Sequence, residues 1–435
     1  MKRDQIEKLL IISAISILTF LYLLGVADVP FHPDESTYLF MSNDFDALLT
    51  HPAQLFWQPG NENDLRQHYR ELDPPLPRYV IGIGRHIVGL TALAVDWDWS
   101  KTWEENQAAG ALPSFDLLLT GRLSVAIFFP LTLFLIYSIG KSLGGQLTAW
   151  LAFLLFASNA LILLHTRRVM AESLLIFTIA LSLWSMLRLR KRPWLVAITV
   201  ALAFCAKPTS APLIILGIVS VSWPIAGIIR PKRVILRDLA LYILILMSVT
   251  FFLNPFLWSD PIHAAWGALV NRQVLMESQA AALQAVRPDQ VLDTIPNKII
   301  GMVAQLFLTQ PAIADIGNYI NQTQLTEIAY FSNPLNHLFR NLITGSFFWI
   351  LSLVGFLFAC LKAWRSTGNS QRIIGLILLG TIFQFIFLMA VLHISWQRYY
   401  LPMVPYACLW IALAITQAKN LVIRQVENKA KKSVQ

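Results

Sequence analysis

The chain of 435 residues is dominated by apolar runs that are long enough to form membrane-crossing helices. Only 14% of its residues are charged, whereas soluble proteins carry about 25%. A bilayer core of about 30 Å requires roughly 20 apolar residues in a helix. We therefore predict an all-α polytopic membrane protein with about ten transmembrane helices. The predicted spans lie near 8–27, 119–140, 146–164, 170–187, 194–206, 210–229, 237–256, 341–362, 372–393 and 399–418.

Two apolar runs need separate interpretation. Residues 9–26 have the composition of either a signal peptide or a retained span. The run is long for a signal peptide and no A-x-A cleavage site follows it, so we predict a retained span. Residues 76–95 are also apolar, but Arg78, Arg85 and His86 interrupt them. We predict that this run forms an interfacial helix, which lies on the membrane rather than crossing it.

The basic residues predict the orientation of the chain. They cluster between apolar runs, in segments 2–8, 188–192, 230–237, 362–372 and 419–432. Ten spans place all five clusters on the same side, and basic residues mark the cytoplasmic side. Both termini are therefore predicted to be cytoplasmic, with two large extracytoplasmic loops, 28–118 and 257–340. The net charge of +9 belongs to these clusters, which argues against a nucleic-acid partner.

The three cysteines, Cys205, Cys360 and Cys408, lie in or beside apolar runs. This position is typical of small core residues rather than of a disulfide or metal framework.

Ionisable residues at the predicted outer ends of spans are the candidates for function. The first span is followed by Asp34 and Glu35, and basic residues occur in connections 165–172, 205–209 and 396–402. Polar groups next to the hydrocarbon are costly, and Arg and Lys are the residues that hold phosphate. A site for a membrane-borne anion is one interpretation. The alternatives are lipid-anchoring basic residues and an acidic pair that caps a helix, and the cap is compatible with catalysis.

Short motifs occur in a fixed order along the chain. They are Phe31, Asp34, Glu35 and Tyr38 of an F-x-x-D-E-x-x-Y element, Pro74-Pro75-Leu76, Arg122, Arg167 with Glu172, and Lys207. In this order they resemble the motifs of membrane-embedded glycosyltransferases of the GT-C class. The resemblance is to the branch of protein O-mannosyltransferases and aminoarabinose transferases, which is glycosyltransferase family 39-like. Asp73 departs from the Lys or His that often precedes P-P-L in the family, and Glu172 stands where Asp is commoner.

The resemblance implies a hexosyl- or mannosyltransferase. It would move a sugar from a polyprenyl-phosphate donor to a hydroxyl of a protein, lipid or glycan at the outer face, by inverting displacement. Asp34 would be the general base, with Glu35 as its catalytic neighbour. The residues implied to bind the donor phosphate are Arg167, Arg168, Lys207 and Arg398. The residues implied to support the site are His32, Tyr38, Arg78, Arg122 and Glu172.

The resemblance also implies a domain organisation. Residues 1–256 would form the catalytic membrane module, 257–340 a cap, 341–418 the C-terminal membrane helices and 419–435 a basic cytoplasmic tail. The sequence demands no cofactor and leaves a divalent metal open. Two other functions stay open, a transporter or flippase and a ligase or polymerase of surface glycans.

Overall fold

The computed structural model describes residues 3–61, 64–224, 230–314 and 319–433. These residues form helices and connecting loops, and their one β-bridge is an isolated contact between Val291 and Ile394. The prediction of an all-α polytopic membrane protein is confirmed. Six helical segments within the described ranges are long and apolar enough to cross a membrane, namely Gln5–Leu24, Phe115–Gly144, Lys232–Leu253, Leu342–Arg365, Gly368–Val391 and Gln397–Asn428.

The helices follow the order of the predicted segments. The first span and the segment after it contain α1 (Arg3–Leu24), α2 (Pro33–Met41), α3 (Asn43–Thr50), α4 (Leu65–Leu72), α5 (Pro75–Ile87) and α6 (Trp103–Ala108). The central segment contains α7 (Phe115–Ala126), α8 (Phe128–Gly144), α9 (Gln146–Ala157), α10 (Ala160–His165), α11 (Glu172–Arg188), α12 (Pro193–Ala206), α13 (Pro212–Ser222) and α14 (Lys232–Leu253). The remainder contains α15 (Pro261–Val286), α16 (Ile295–Val303), α17 (Ile320–Ser332), α18 (Leu342–Arg365), α19 (Gly368–Val391) and α20 (Val404–Ser433).

Several predicted spans are shorter than a bilayer core. The run 146–164 forms two helices, α9 and α10, because the Asn159 side chain accepts hydrogen bonds from the backbone N–H groups of Leu161 and Ile162. This cap starts a new helix. At 1.5 Å per residue the 12-residue α9 extends only about 18 Å. The predicted span 210–229 ends as α13 at Ser222, and its residues 225–229 lie outside the described residues.

Two further expectations need correction. The predicted interfacial helix 76–95 ends as α5 at Ile87, because Gly89 adopts a φ of +74° that the helix cannot continue. The predicted basic tail, 419–435, begins within α20, which continues to Ser433, and its cytoplasmic location stays a prediction. Cys205 and Cys408 are buried as predicted, but Cys360 lies on the exposed face of α18.

The core that supports the site is built by α8, α9, α11, α12 and α20. Small residues such as Ala149, Ala180 and Ala412 are buried where these helices approach one another. Helix α1 lies at the edge of this bundle and packs mainly on α8, where the rings of Tyr22 and Phe129 stack with centroids 3.8 Å apart. Most of the remaining surface of α1 is exposed.

Gly355 allows α18 to pack directly against the backbone of α20. A Cβ atom at this position would lie 1.9 Å from the backbone oxygen of Trp410. We expect Gly355→Ala to destabilise the protein by about 1–3 kcal/mol, because two packed helices must separate. Thermal unfolding of the purified protein measures this. Gly267→Ala in the exposed helix α15 is the control, because its Cβ would contact only the Glu71 side chain, at 3.8 Å. Equal unfolding temperatures for the two variants would contradict the prediction.

Candidate active site

The acidic pair lies at the start of α2, as the sequence predicts. The Nδ1 atom of His32 accepts a hydrogen bond from the backbone N–H of Asp34 at 3.1 Å. The carboxylate of Glu35 accepts one from the backbone N–H of His32, also at 3.1 Å. This reciprocal capping box, followed by Pro33 in the first turn, fixes the helix start. It directs the two carboxylates into different surroundings.

Glu35 is a fully buried member of an ion pair. Its carboxylate accepts hydrogen bonds from Nε and Nη2 of Arg122, at 2.8 and 2.7 Å. It also accepts one from the backbone N–H of Val169 at 3.0 Å. Burial by itself would raise the pKa of Glu35, but the charge and hydrogen bonds of Arg122 outweigh it and hold the pKa below 4.5. Since Arg122 also donates to the carbonyls of Val26 and Val29, the pair joins α7 to the end of α1.

Asp34 is the partly exposed acid of the pair. Its side chain is 24% exposed, whereas that of Glu35 is 0% exposed. The Nη1 atom of Arg398 donates a hydrogen bond to the Asp34 carboxylate. The Arg398 guanidinium also lies over the rings of Trp396 and Tyr399, 5.2 and 5.6 Å from their centroids. Asp34 is therefore the carboxylate that a ligand can reach, with a cation beside it.

A second buried ion pair lies next to Arg398. Lys207 follows the last residue of α12, and Glu172 begins α11. The Nζ atom of Lys207 donates to Oε1 of Glu172 at 2.6 Å and lies 5.6 Å from the centroid of the Tyr399 ring. The other oxygen of Glu172 is buried without a hydrogen-bond partner among the described residues. Lys207 and Arg398 thus face the same aromatic ring, and each has a carboxylate partner.

Tyr38 lies one helical turn after Asp34. Burial raises its pKa well above 10, and the negative charges of Asp73, Glu172 and Asp34 add to this, while Arg398 opposes it. The Tyr38 hydroxyl therefore stays protonated and is available as a hydrogen-bond donor next to these carboxylates.

Asp96 is a residue of this region that the sequence analysis missed. Its Oδ2 atom accepts a hydrogen bond from the Tyr69 hydroxyl at 2.6 Å. Burial raises the pKa of Asp96, and the nearby charge of Asp34 adds to the shift. No sequence signal marked this residue, because its partner Tyr69 lies 27 positions away in α4.

The four cations predicted to bind phosphate form two groups. Arg398 and Lys207 lie beside Asp34 and Glu172, whereas Arg167 and Arg168 lie on the side of Glu35 and α1. Arg167 donates from Nε to the carbonyl of Tyr22 at 3.0 Å. Arg168 donates from Nη2 to the carbonyl of Ile313 at 2.7 Å. The sequence did not predict this division.

Arg78, a predicted supporting residue, lies with Arg70 at Asp44 rather than at the acidic pair. Its Nε atom is 3.4 Å from the Asp44 carboxylate. Among the described residues, no group of three or more His, Cys, Asp and Glu side chains has the arrangement of a metal site. Whether a divalent metal takes part therefore stays open.

Comparisons with known proteins identify the fold. No protein-family model matches the chain, and no curated protein sequence matches it significantly. The oligosaccharyltransferase of Archaeoglobus fulgidus, in its apo form, superposes with a TM-score of 0.51 at 14% identity. The match covers 97% of this chain and 52% of the oligosaccharyltransferase. The chain has a GT-C fold. It spans about half the length of that enzyme.

Two further solved structures share less of the arrangement. The protein O-mannosyltransferase Pmt1-Pmt2 complex of S. cerevisiae, bound to its sugar donor, has a TM-score of 0.41 at 15% identity. That match covers 60% of this chain and 34% of the yeast chain. ArnT from Cupriavidus metallidurans, bound to undecaprenyl phosphate, has a TM-score of 0.39 at 14% identity. It covers 95% of this chain and 77% of ArnT.

Proposed function

We propose that the protein is a glycosyltransferase that uses a polyprenyl-phosphate sugar. It transfers the sugar to an acceptor hydroxyl at the outer face of the cell membrane. The observation that carries this proposal is the difference between the two adjacent acids. Glu35 is held by Arg122, while Asp34 is partly exposed beside Arg398 and the Lys207–Glu172 pair. The GT-C fold agrees with this function.

In the proposed mechanism Asp34 is the general base. The acceptor hydroxyl gives its proton to the Asp34 carboxylate as its oxygen attacks the anomeric carbon of the donor. The bond from that carbon to the phosphate oxygen breaks, its electron pair stays on the phosphate, and the configuration of the sugar inverts. A phosphate monoester is a stable anion, so its departure requires neighbouring cations rather than a proton.

Arg398 and Lys207 are the proposed partners of the leaving phosphate. Both face Tyr399, and Arg398 adjoins Asp34, so one group held at this position would contact the base and the cations together. Arg398 is bonded to Asp34 in the structure. A donor phosphate that draws this guanidinium toward itself would leave the Asp34 carboxylate free to accept a proton. Tyr38 and Glu172 provide a donor and an acceptor for sugar hydroxyls.

The proposed function requires the site to face outside the cell, and the topology is proposed accordingly. The termini lie in the cytoplasm, and segments 28–118 and 257–340 lie outside, where the first carries the acidic pair and the second forms a cap. Residues 1–256 and 341–418 form the catalytic module and the C-terminal membrane helices.

Transfer assays with purified full-length protein test the proposal. A panel of polyprenyl-phosphate sugars is offered with protein, lipid and glycan acceptors, and mass spectrometry identifies each product. We expect one donor to give a product with inverted configuration at the anomeric carbon. Uptake of a donor into proteoliposomes without any glycosylated product would contradict the proposal and favour a transporter. Use of only diphosphate-linked oligosaccharides would favour a ligase.

Arg398→Gln is expected to lower kcat/KM for the donor by about 10²–10³, because a cation aimed at the developing phosphate charge is lost. Steady-state kinetics over a range of donor concentrations measure this change. Arg287→Gln is the matched control, since Arg287 is an exposed residue that pairs with Asp289 away from the site. An Arg398 variant with the kinetics of the control would exclude Arg398 from the phosphate site.

A further inference from the structure

A cavity of about 980 Å³ lies on the Glu35 side of the acidic pair, away from Arg398. Its walls are formed by α1, α7 and α9, and helix α17 with the short helix Pro334–His337 covers one end. The volume lies within the range of small-molecule ligand sites, about 300–1,000 Å³. The proposed transfer chemistry makes no use of this cavity.

The apolar part of the cavity extends along α9 and along α1, which is long and apolar enough to cross a membrane. It is lined by Leu18 and Leu21 of α1 and by Leu154 of α9. Leu21 and Leu154 are about half exposed, so the cavity is open sideways between these two apolar helices. Leu18 lies six residues, or about 9 Å, before the end of α1 at Leu24. A lipid chain can therefore enter from the bilayer without crossing polar surface.

A buried cation faces the other end of the cavity. Arg167 is 5% exposed, and no carboxylate of the described residues lies within 4 Å of its guanidinium. Its partners among the described residues are neutral and include the Tyr22 carbonyl and ring, the side-chain oxygen of Asn336 at 3.4 Å and the Tyr330 hydroxyl. A buried charge is costly unless an opposite charge compensates it. Arg122 also lines the cavity, but Glu35 neutralises it.

Gly25 allows Arg167 to occupy this position. A Cβ atom at Gly25 would lie 2.7 Å from the Cζ and Nη1 atoms of Arg167. The guanidinium therefore lies against the end of α1, where a membrane surface would meet the cavity. The acid nearest the opening is Asp28, which is exposed at the rim.

Neutral polar side chains surround this end of the cavity. Thr323 and Thr326 donate their hydroxyl hydrogens to backbone carbonyls, which leaves their oxygens able to accept. Gln322 and Asn333 add amide groups, and the buried Tyr330 hydroxyl lies beside Arg167. Such groups suit the hydroxyls of a headgroup more than a bare monophosphate.

We propose that this cavity binds an anionic membrane lipid with a hydroxylated headgroup, such as a phosphatidylglycerol. Its phosphate would contact Arg167 and its chain would lie between α1 and α9. This lipid would be additional to the sugar donor. That distinction rests on the proposed function, which assigns the donor phosphate to Arg398 and Lys207. Binding of the lipid itself requires no catalysis.

Photo-crosslinking of the full chain in lipid nanodiscs tests the proposal. The probes are phosphatidylglycerol and phosphatidylcholine, each with a diazirine in one acyl chain, and mass spectrometry locates the label. We expect phosphatidylglycerol to label residues of α1 and α9 that line the cavity, and phosphatidylcholine to label them several-fold less. Arg167→Gln should lower phosphatidylglycerol labelling about tenfold, as expected for loss of a charge-assisted hydrogen bond.

Two further variants keep the result interpretable if Arg167→Gln folds poorly. Ala329→Trp places an indole in the cavity and should remove the label. Ile328→Trp, at the neighbouring exposed position outside the cavity, should leave it unchanged. Equal labelling by the two phospholipids in wild type, or equal labelling of the two tryptophan variants, would overturn the proposal.

A third probe, a diazirine-bearing polyprenyl phosphate, separates the two lipid sources. If it displaces phosphatidylglycerol from the cavity and depends on Arg167, the cavity belongs to the donor and the proposal of an additional lipid is wrong. Label without any sugar transfer in wild type would leave the lipid site standing and remove the proposed function. Sugar transfer without Arg167-dependent label would leave the proposed function standing and remove the lipid site. A labelled lipid that also carries the sugar would identify it as the acceptor.

Discussion

Asp34→Asn is expected to lower the rate of sugar transfer by about 10²–10⁴, the usual cost of removing a general base. Asparagine has nearly the same shape, and its side-chain oxygen can still accept a hydrogen bond from Arg398. It cannot take up the proton of the acceptor hydroxyl at neutral pH. We therefore expect the loss to appear in kcat, with a smaller change in KM for the donor. Single-turnover transfer from the polyprenyl-phosphate sugar measures the chemical step directly.

Asp116→Asn is the matched control. Asp116 is exposed in the first turn of α7, so its replacement changes the same charge away from the site. Asp34→Glu keeps a carboxylate but moves it by about one methylene, and should retain part of the activity. If Asp34→Asn transferred sugar as fast as the Asp116 variant, another group would have to act as the base. Glu172 would then be the next candidate, because one of its oxygens has no partner within the described residues.

The sequence predicts the helical elements better than it predicts their lengths. Apolar runs specify helices through the requirement that backbone groups be hydrogen-bonded inside a membrane. A single polar residue can still divide a run, as Asn159 does when it caps α10. A hydropathy average over a window of residues does not detect such a cap, so it predicts one continuous helix. The apolar helix α16, within the predicted outer cap, was also missed because its run is short.

The site is predictable only where neighbours in sequence are also neighbours in space. The start of α2 at Asp34 and Glu35 follows from local capping by His32. The division of the cations does not, because Arg167 and Arg168 are adjacent in the chain yet bond to different partners, the end of α1 and the segment near Ile313. Their backbone lies outside any helix, between α10 and α11, so no periodicity predicts the direction of the side chains.

Arg122→Met is expected to destabilise the protein by about 3–5 kcal/mol, because it leaves the Glu35 charge buried without its partner. The same substitution removes the bonds from Arg122 to the carbonyls of Val26 and Val29. Equilibrium unfolding of the purified protein in mixed detergent micelles measures the free-energy difference. Arg237→Met is the control: Arg237 pairs with Asp238 but is 72% exposed, so its loss should cost at most about 1 kcal/mol.

The pH dependence of this stability difference shows whether Arg122 acts through its ion pair with Glu35 or only through packing. In wild type the pKa of Glu35 lies below 4.5, so the pair contributes its stability above about that pH and loses it as the pH falls through the lowered pKa. Without Arg122, burial raises the pKa of Glu35, and this carboxyl takes up a proton more readily in the folded protein. The stability difference between wild type and Arg122→Met should therefore shrink as the medium is acidified.

A difference that stayed constant from neutral pH to pH 4 would show that Arg122 acts through packing alone. The double variant Glu35→Gln with Arg122→Met adds a second measurement. It removes both charges while keeping an acceptor for the Val169 N–H, so it should be more stable than Arg122→Met at neutral pH. Its transfer activity would then report whether Asp34 needs the ion pair beneath it or only a correctly formed start of α2.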